Sequence, residues 1–197
     1  SAGKPLACRD LAEREVTDLF GSELRHAERA DRQLHSFFTG ANRHVVLAAK
    51  ERAVLRPHGQ ILRTGDALVP DEASLTSTAW MSGVFHSMVT QGHVSINRFL
   101  STTHSYLGLF RSHGQRIFIE VADGWQLLDV PSAFEMDPSG CRWIYQHAGG
   151  RIEVRSRAGV SSHELRLEIE VVDGAPCRFL VSSHVALGGD DGADAIP

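Results

Sequence analysis

The chain has 197 residues, room for one domain of ordinary size and too few for two. Its 20 Lys and Arg against 24 Asp and Glu give a formal charge of −4, so the cationic surplus that neutralises a phosphate backbone is missing and nucleic acid is not an expected partner. With 42% hydrophobic and 22% charged residues the composition is that of a folded domain, and no apolar run approaches the ~20 residues of a membrane helix.

In chain order, Ser1, Ala2 and Gly3 precede Lys4 without an initiator methionine or an apolar signal core, which reads as a cut start. Between Asp10 and Phe38, apolar residues recur at helical spacing, at Leu24, Ala27, Leu34 and Phe38 with Ala30 and Phe37 beside them. Gly21 and Ser22 interrupt the run, and Ser22 suits the free N–H groups of a helix start. The spacing predicts a short first helix and a longer one over 23–38, so that residues 1–40 form a helical lead-in.

After Gly40 the period shortens. Leu165, Leu167, Ile169 and Val171 alternate with Arg166, Glu168 and Glu170, which predicts a strand with one face in a core and one in water. Ile117, Ile119 and Val121 repeat the pattern, as do Ile152 and Val154 around Glu153 and Arg155. Further strand-like stretches lie at 75–90, 94–100, 125–130, 142–147 and 177–187, punctuated by Gly92, Gly114, Gly124, Pro131, Gly149 with Gly150, and Asp173 with Gly174. Strands about ten residues apart leave little room for crossover helices, so residues 41–188 are expected to form an antiparallel β-sandwich. Residues 189–197, rich in Gly and Asp, read as an acidic linker or tail.

Local signatures of chemistry are few. The 11 histidines include no HExxH and no i, i+4 pair, so no metal site is expected. Cys8, Cys141 and Cys177 are odd in number and widely spaced, which favours a reducing, cytoplasmic setting over a disulfide framework. Arg142 beside Cys141 is a cation that lowers a thiol pKa, although a cysteine entering a strand is more simply a small core residue. GxSxG, GxxxxGK[ST] and GxGxxG are absent. Glu164, Glu168 and Glu170 share one polar strand face and read as solubilising charges, not as a glycosidase pair. Trp80, Trp125 and Trp143 fall in strand-like segments; an indole face suits the C–H face of a pyranose, with core packing as the plainer role for each. Asp66, with Asp71 and Glu72, lies in a Gly/Pro loop suited to ligand contacts or to turn formation.

Three runs carry a family resemblance: SLTSTAWMSGVFHSMVTQGHVSINRFLSTTHS (74–105), GLFRSHGQRIFIEV (108–121) and WQLLDVPSAFEMDPSGCRWIYQH (125–147). With the upstream LFGSELRHAERA (19–30), they are similar to the amino-terminal region of large cellobiose-phosphorylase-like, glycosyltransferase 36-type proteins, over most of residues 16–188. The resemblance implies a β-sandwich of the supersandwich type with one or two N-terminal helices, placed before a helical linker and an (α/α)6 barrel. In that family the barrel supplies the carboxylic acid and the phosphate site, so no catalytic residue carries over to this chain and no cofactor is expected. Inorganic phosphate would be the co-substrate of the parent enzyme.

The leading expectation is therefore a non-catalytic domain of a glycoside phosphorylase acting on β-glucan oligosaccharides. Its partners would be the C-terminal catalytic domain of the same chain, an oligosaccharide and, through dimer formation, a second copy; Trp125, Trp143 and Asp66 are the candidate substrate contacts. The alternatives are a freestanding carbohydrate-binding module and a small sandwich-fold hydrolase or lyase.

Overall fold

Side chains that alternate between apolar and polar form the strands of two stacked sheets. A computed structural model describes residues 4–53, 58–63, 76–81, 114–137, 140–158 and 165–184. Its elements in order are β1 (Lys4–Pro5), α1 (Glu13–Phe20), β2 (Leu24–Ala30), β3 (Gln33–Thr39), β4 (His44–Leu47), α2 (Ala48–Ala53), β5 (His58–Arg63), β6 (Thr76–Met81), β7 (Gly114–Val121), β8 (Gly124–Leu127), β9 (Ala133–Asp137), β10 (Gly140–His147), β11 (Gly150–Ala158), β12 (Leu165–Gly174) and β13 (Phe179–His184). A four-stranded sheet runs β1-β8-β7-β13 and a seven-stranded sheet runs β12-β11-β10-β9-β4-β3-β2, while β5 pairs with β6. Every strand pair is antiparallel except β1 with β8. Among the described residues no helix is long and apolar enough to cross a membrane.

The expected antiparallel sandwich is the observed architecture, and the strands expected around 117–121, 125–130, 142–147, 152–155, 165–171 and 177–187 are β7, β8, β10, β11, β12 and β13. Strand β6 begins within the 75–90 stretch, whereas the 94–100 stretch, Asp66 and the 189–197 tail lie outside the described residues.

Between the sheets, Ile117, Ile119 and Leu128 meet Val46, Phe134, Met136, Trp143, Tyr145, Ile152 and Val154. Full burial of each large apolar side chain contributes about 1.5–3 kcal/mol, so this layer is the main source of stability. The outer face of the large sheet carries a second apolar cluster, where Val16 and Phe20 of α1 cover Phe37, Val45, Leu47, Ala133 and Ile144. Phe20 meets Phe37 edge to face, with ring centroids 5.7 Å apart.

The lead segment fastens the two layers. Leu6 N–H donates to Leu127 O on the small sheet at 2.8 Å, and Arg9 N–H donates to Gln146 O on the large sheet at 2.9 Å. Helix α1 starts at Ala12, which has no side-chain acceptor to offer. Glu15 supplies half of a capping box by accepting the Ala12 backbone N–H at 2.8 Å, and Arg9 grips the same carboxylate with two hydrogen bonds at 2.6 and 2.8 Å.

The helix expected over 23–38 is corrected: those residues form the β2–β3 hairpin. Register shifts between Arg25 and Glu28 and between Glu28 and Arg29 break the two-residue period, so Leu34 and Phe37, three apart, both serve the outer cluster. That spacing imitates a helix. The two-residue loop, Asp31 and Arg32, has φ of +48° and +65°, the backbone of a I′ hairpin turn. A second short helix, α2, lies beyond the lead segment, where no helix is expected. At the far end of the large sheet, Gly150 and Gly174 face each other with φ of +134° and +109°, and a Cβ on Gly150 would meet Asp173 O at 2.1 Å.

Candidate functional site

Two outward faces present side chains suited to recognition. The first belongs to the small sheet. Strands β7 and β8 turn through Ala122 and Asp123 into Gly124, whose φ of +112° brings Trp125 directly opposite Glu120. Trp125 is 40% exposed and Leu180, opposite Phe118 on the same sheet, is 47% exposed. Arg178 donates from Nε to Glu120 Oε2 at 2.5 Å and from Nη2 to Oε1, and this pairing holds the Glu120 carboxyl below its ordinary range. An indole beside a fixed carboxylate–guanidinium pair offers an apolar platform and directed polar groups.

The second face is the outer side of the large sheet beyond α1. Register aligns Glu135, Arg142, Arg155 and Glu168 across β9 to β12, with Asp137, Gly140, Arg157 and Arg166 in the adjoining row. Arg142 Nε lies 2.7 Å from Glu135 Oε2, and its guanidinium stands over the Phe20 ring at 5.5 Å. Glu153 is ringed by Arg142, Arg151 and Arg155, the last donating at 2.5 Å, while Arg155 also reaches Glu170 at 2.7 Å. The face of β11 expected to be wet is thereby corrected, because Glu153 is 3% exposed. A carboxylate is buried here because three guanidinium groups replace its water. Above Gly140 lies a hollow of about 320 Å³ lined by Arg43, Glu135, Asp137, Arg142, Arg155 and Arg157, with Met136 and Cys141 at its floor.

The candidate residues from the sequence separate. Trp125 is on a surface. Trp143 is a correction: it is 4% exposed and packs on Phe134 at 5.2 Å between the sheets, so no ring face is free for a sugar. Its position on β10, alternating with Arg142 and Ile144, turns it inward. The thiol of Cys141 is buried, and desolvation pushes its pKa up instead of Arg142 lowering it; burial likewise pushes Cys8 up to about 12. All three cysteines are unpaired. Among the described residues no group of three or more His, Cys, Asp or Glu is arranged to hold a metal. The arginine–carboxylate rows were not legible as a site, since only cross-strand register aligns residues from 43 to 157. The one local signal is RIEVRSR (151–157), with charges at every second position.

Two mainly antiparallel sheets of four and seven strands closed over one apolar layer define a sandwich domain of the supersandwich class. The chain belongs to the glycoside phosphorylase supersandwich domain family, whose model matches residues 22–195. It is also similar to a 1,2-β-oligoglucan phosphorylase of Listeria innocua serovar 6a, with 29% identity over 189 residues. That alignment takes in 96% of this chain and 17% of the relative's length.

Proposed function

We propose that this chain is a non-catalytic, supporting domain of a larger glycoside phosphorylase that acts on β-linked glucan oligosaccharides with inorganic phosphate as co-substrate. The observation that carries this reading is the asymmetry of the alignment: nearly the whole chain corresponds to about one sixth of a 1,2-β-oligoglucan phosphorylase. Phosphorolysis needs a proton donor at the glycosidic oxygen and a cationic cradle for phosphate in one water-excluding cleft. The reading assigns both to the rest of the parent chain, and assigns to this domain the support of that cleft. Unpaired Cys8, Cys141 and Cys177 suit a cytoplasmic location.

The test is to incubate 1,2-β-oligoglucan and inorganic phosphate with the 197-residue chain and, separately, with the longer natural chain that contains it. The longer chain is expected to release sugar phosphate and the 197-residue chain none above background. Turnover by the 197-residue chain alone would overturn the reading.

A second reading, a carbohydrate-contacting module, is favoured by the exposure of Trp125 beside the Glu120–Arg178 pair. It predicts that Trp125→Ala weakens oligoglucan binding about tenfold in a calorimetric titration, the loss expected for one aromatic stacking face. Unchanged affinity would remove Trp125 from the contact surface.

A further inference from the structure

The charged groups that line the hollow above Gly140 are unequally engaged. Two pairs made by its lining residues are tight: Arg155 meets Glu153 at 2.5 Å, and Arg142 Nε lies 2.7 Å from Glu135 Oε2. Those of Arg43 are stretched. Arg43 stands 3.6 Å from Glu135 Oε1 and 3.5 Å from Asp137 Oδ2, and its guanidinium makes no hydrogen bond among the described residues. Separations of this length are ion pairs without a hydrogen bond, so the guanidinium N–H groups of Arg43 remain available as donors. Arg157 is exposed and has no ion pair among the described residues, although it faces Arg166 directly across the ladder.

Glycine at position 140 lets β10 lie close against β11. A Cβ at position 140 would meet Ser156 O at 2.5 Å and Arg157 Cγ at 3.0 Å. The hollow's volume of about 320 Å³ falls at the lower end of the size of small-molecule sites, about 300–1,000 Å³.

We infer that this hollow is a binding site for a neutral polyhydroxylated ligand, an oligosaccharide. Its lining offers both donors and acceptors: the underused guanidinium groups of Arg43 and Arg157 donate, and Glu135 Oε1 accepts. A cation would meet four guanidinium groups, and an anion, although drawn by them, would lie against the Glu135 and Asp137 carboxylates beside Arg43. Vicinal hydroxyls, each able to donate and accept, satisfy both sets at once. The choice of a glucan as ligand rests on the function proposed above, whereas the donor–acceptor argument stands on the site alone. This site is on the large sheet, so it is separate from the Trp125 face on the small sheet.

The experiment is an NMR titration of the 197-residue chain with a short 1,2-β-oligoglucan, following the arginine Nε–H resonances. Saturable shifts of Arg43 and Arg157 are expected, with Kd raised about tenfold or more in the double variant Arg43→Gln, Arg157→Gln and changed less than about twofold at this site in Trp125→Ala. No saturation at these resonances, or unchanged affinity in a folded double variant, would overturn the inference. So would displacement of the oligoglucan by inorganic phosphate with the same shifts, which would mark an anion site. If the double variant does not fold, sugar-proton NOEs to the Arg43 and Arg157 side chains of the unsubstituted chain decide: their presence supports the site and their absence overturns it. The phosphorolysis assay on the longer chain is scored independently, so turnover there without binding here defeats the inference and leaves the proposed function standing.

Discussion

Glu15 illustrates how much one side chain can settle when its neighbours are fixed. It caps α1 through the Ala12 N–H and is gripped by Arg9, and these hydrogen bonds hold its carboxyl at about 2 against an ordinary 4.5. A depressed folded-state pKa contributes stability that is complete above the ordinary range and lost as pH falls through the folded value. Glu15→Ala is expected to lower stability by about 1 kcal/mol at neutral pH, as for loss of a helix cap. Urea unfolding of both proteins between the two pKa values should show that difference shrinking as pH falls from 4.5 toward about 2. A difference constant across that window would exclude the ionised carboxylate as its source. Residue identity alone was a poorer guide at Trp143 and Cys141. An indole and a thiol each have a functional and a packing role, and only the side of β10 on which they lie distinguishes the two.

Elements were legible in proportion to the regularity of their pattern. In β12, strict alternation runs from Leu165 to Val171, and the strand is where that pattern places it. The β2–β3 hairpin was misread because its bulges shift apolar residues to spacings of three, and because its loop, Asp31-Arg32, lacks the glycine or asparagine that marks a I′ turn. Strand β9 follows Pro131 with AFEMD, buried at Ala133 through Met136, and a strand covered on both sides has no wet face to betray it. The turn gives a direct test. Arg32 is exposed and held at φ +65°, a region costly to a residue with a Cβ, so Arg32→Gly is expected to stabilise the chain by about 0.5–1 kcal/mol. A rise in the urea midpoint at unchanged slope would register this, and an unchanged or lower midpoint would show that the turn is not strained.

At the scale of the molecule, the segment before residue 22 is outside the span matched by the family model yet inside both cores. Leu6 enters the layer between the sheets, and Val16 and Phe20 close the outer face of the large sheet. At about 1.5–3 kcal/mol each, these three contribute roughly 5–9 kcal/mol, comparable with the ~5–15 kcal/mol of a whole domain. A chain beginning at residue 22 is therefore expected to lose cooperative thermal unfolding and near-ultraviolet dichroism and to bind a hydrophobic dye. A sharp transition like that of the full chain would show the lead segment to be dispensable. By itself the sequence determined that this chain is a mainly β domain with alternating faces, because a two-residue period is a local property of the strand. It did not decide which strands are neighbours, and with that it left open the burial of Glu153, the hollow above Gly140 and the inward turn of Trp143. Those follow from cross-strand register, which brings residues a hundred positions apart into one row and which only the folded sheet fixes.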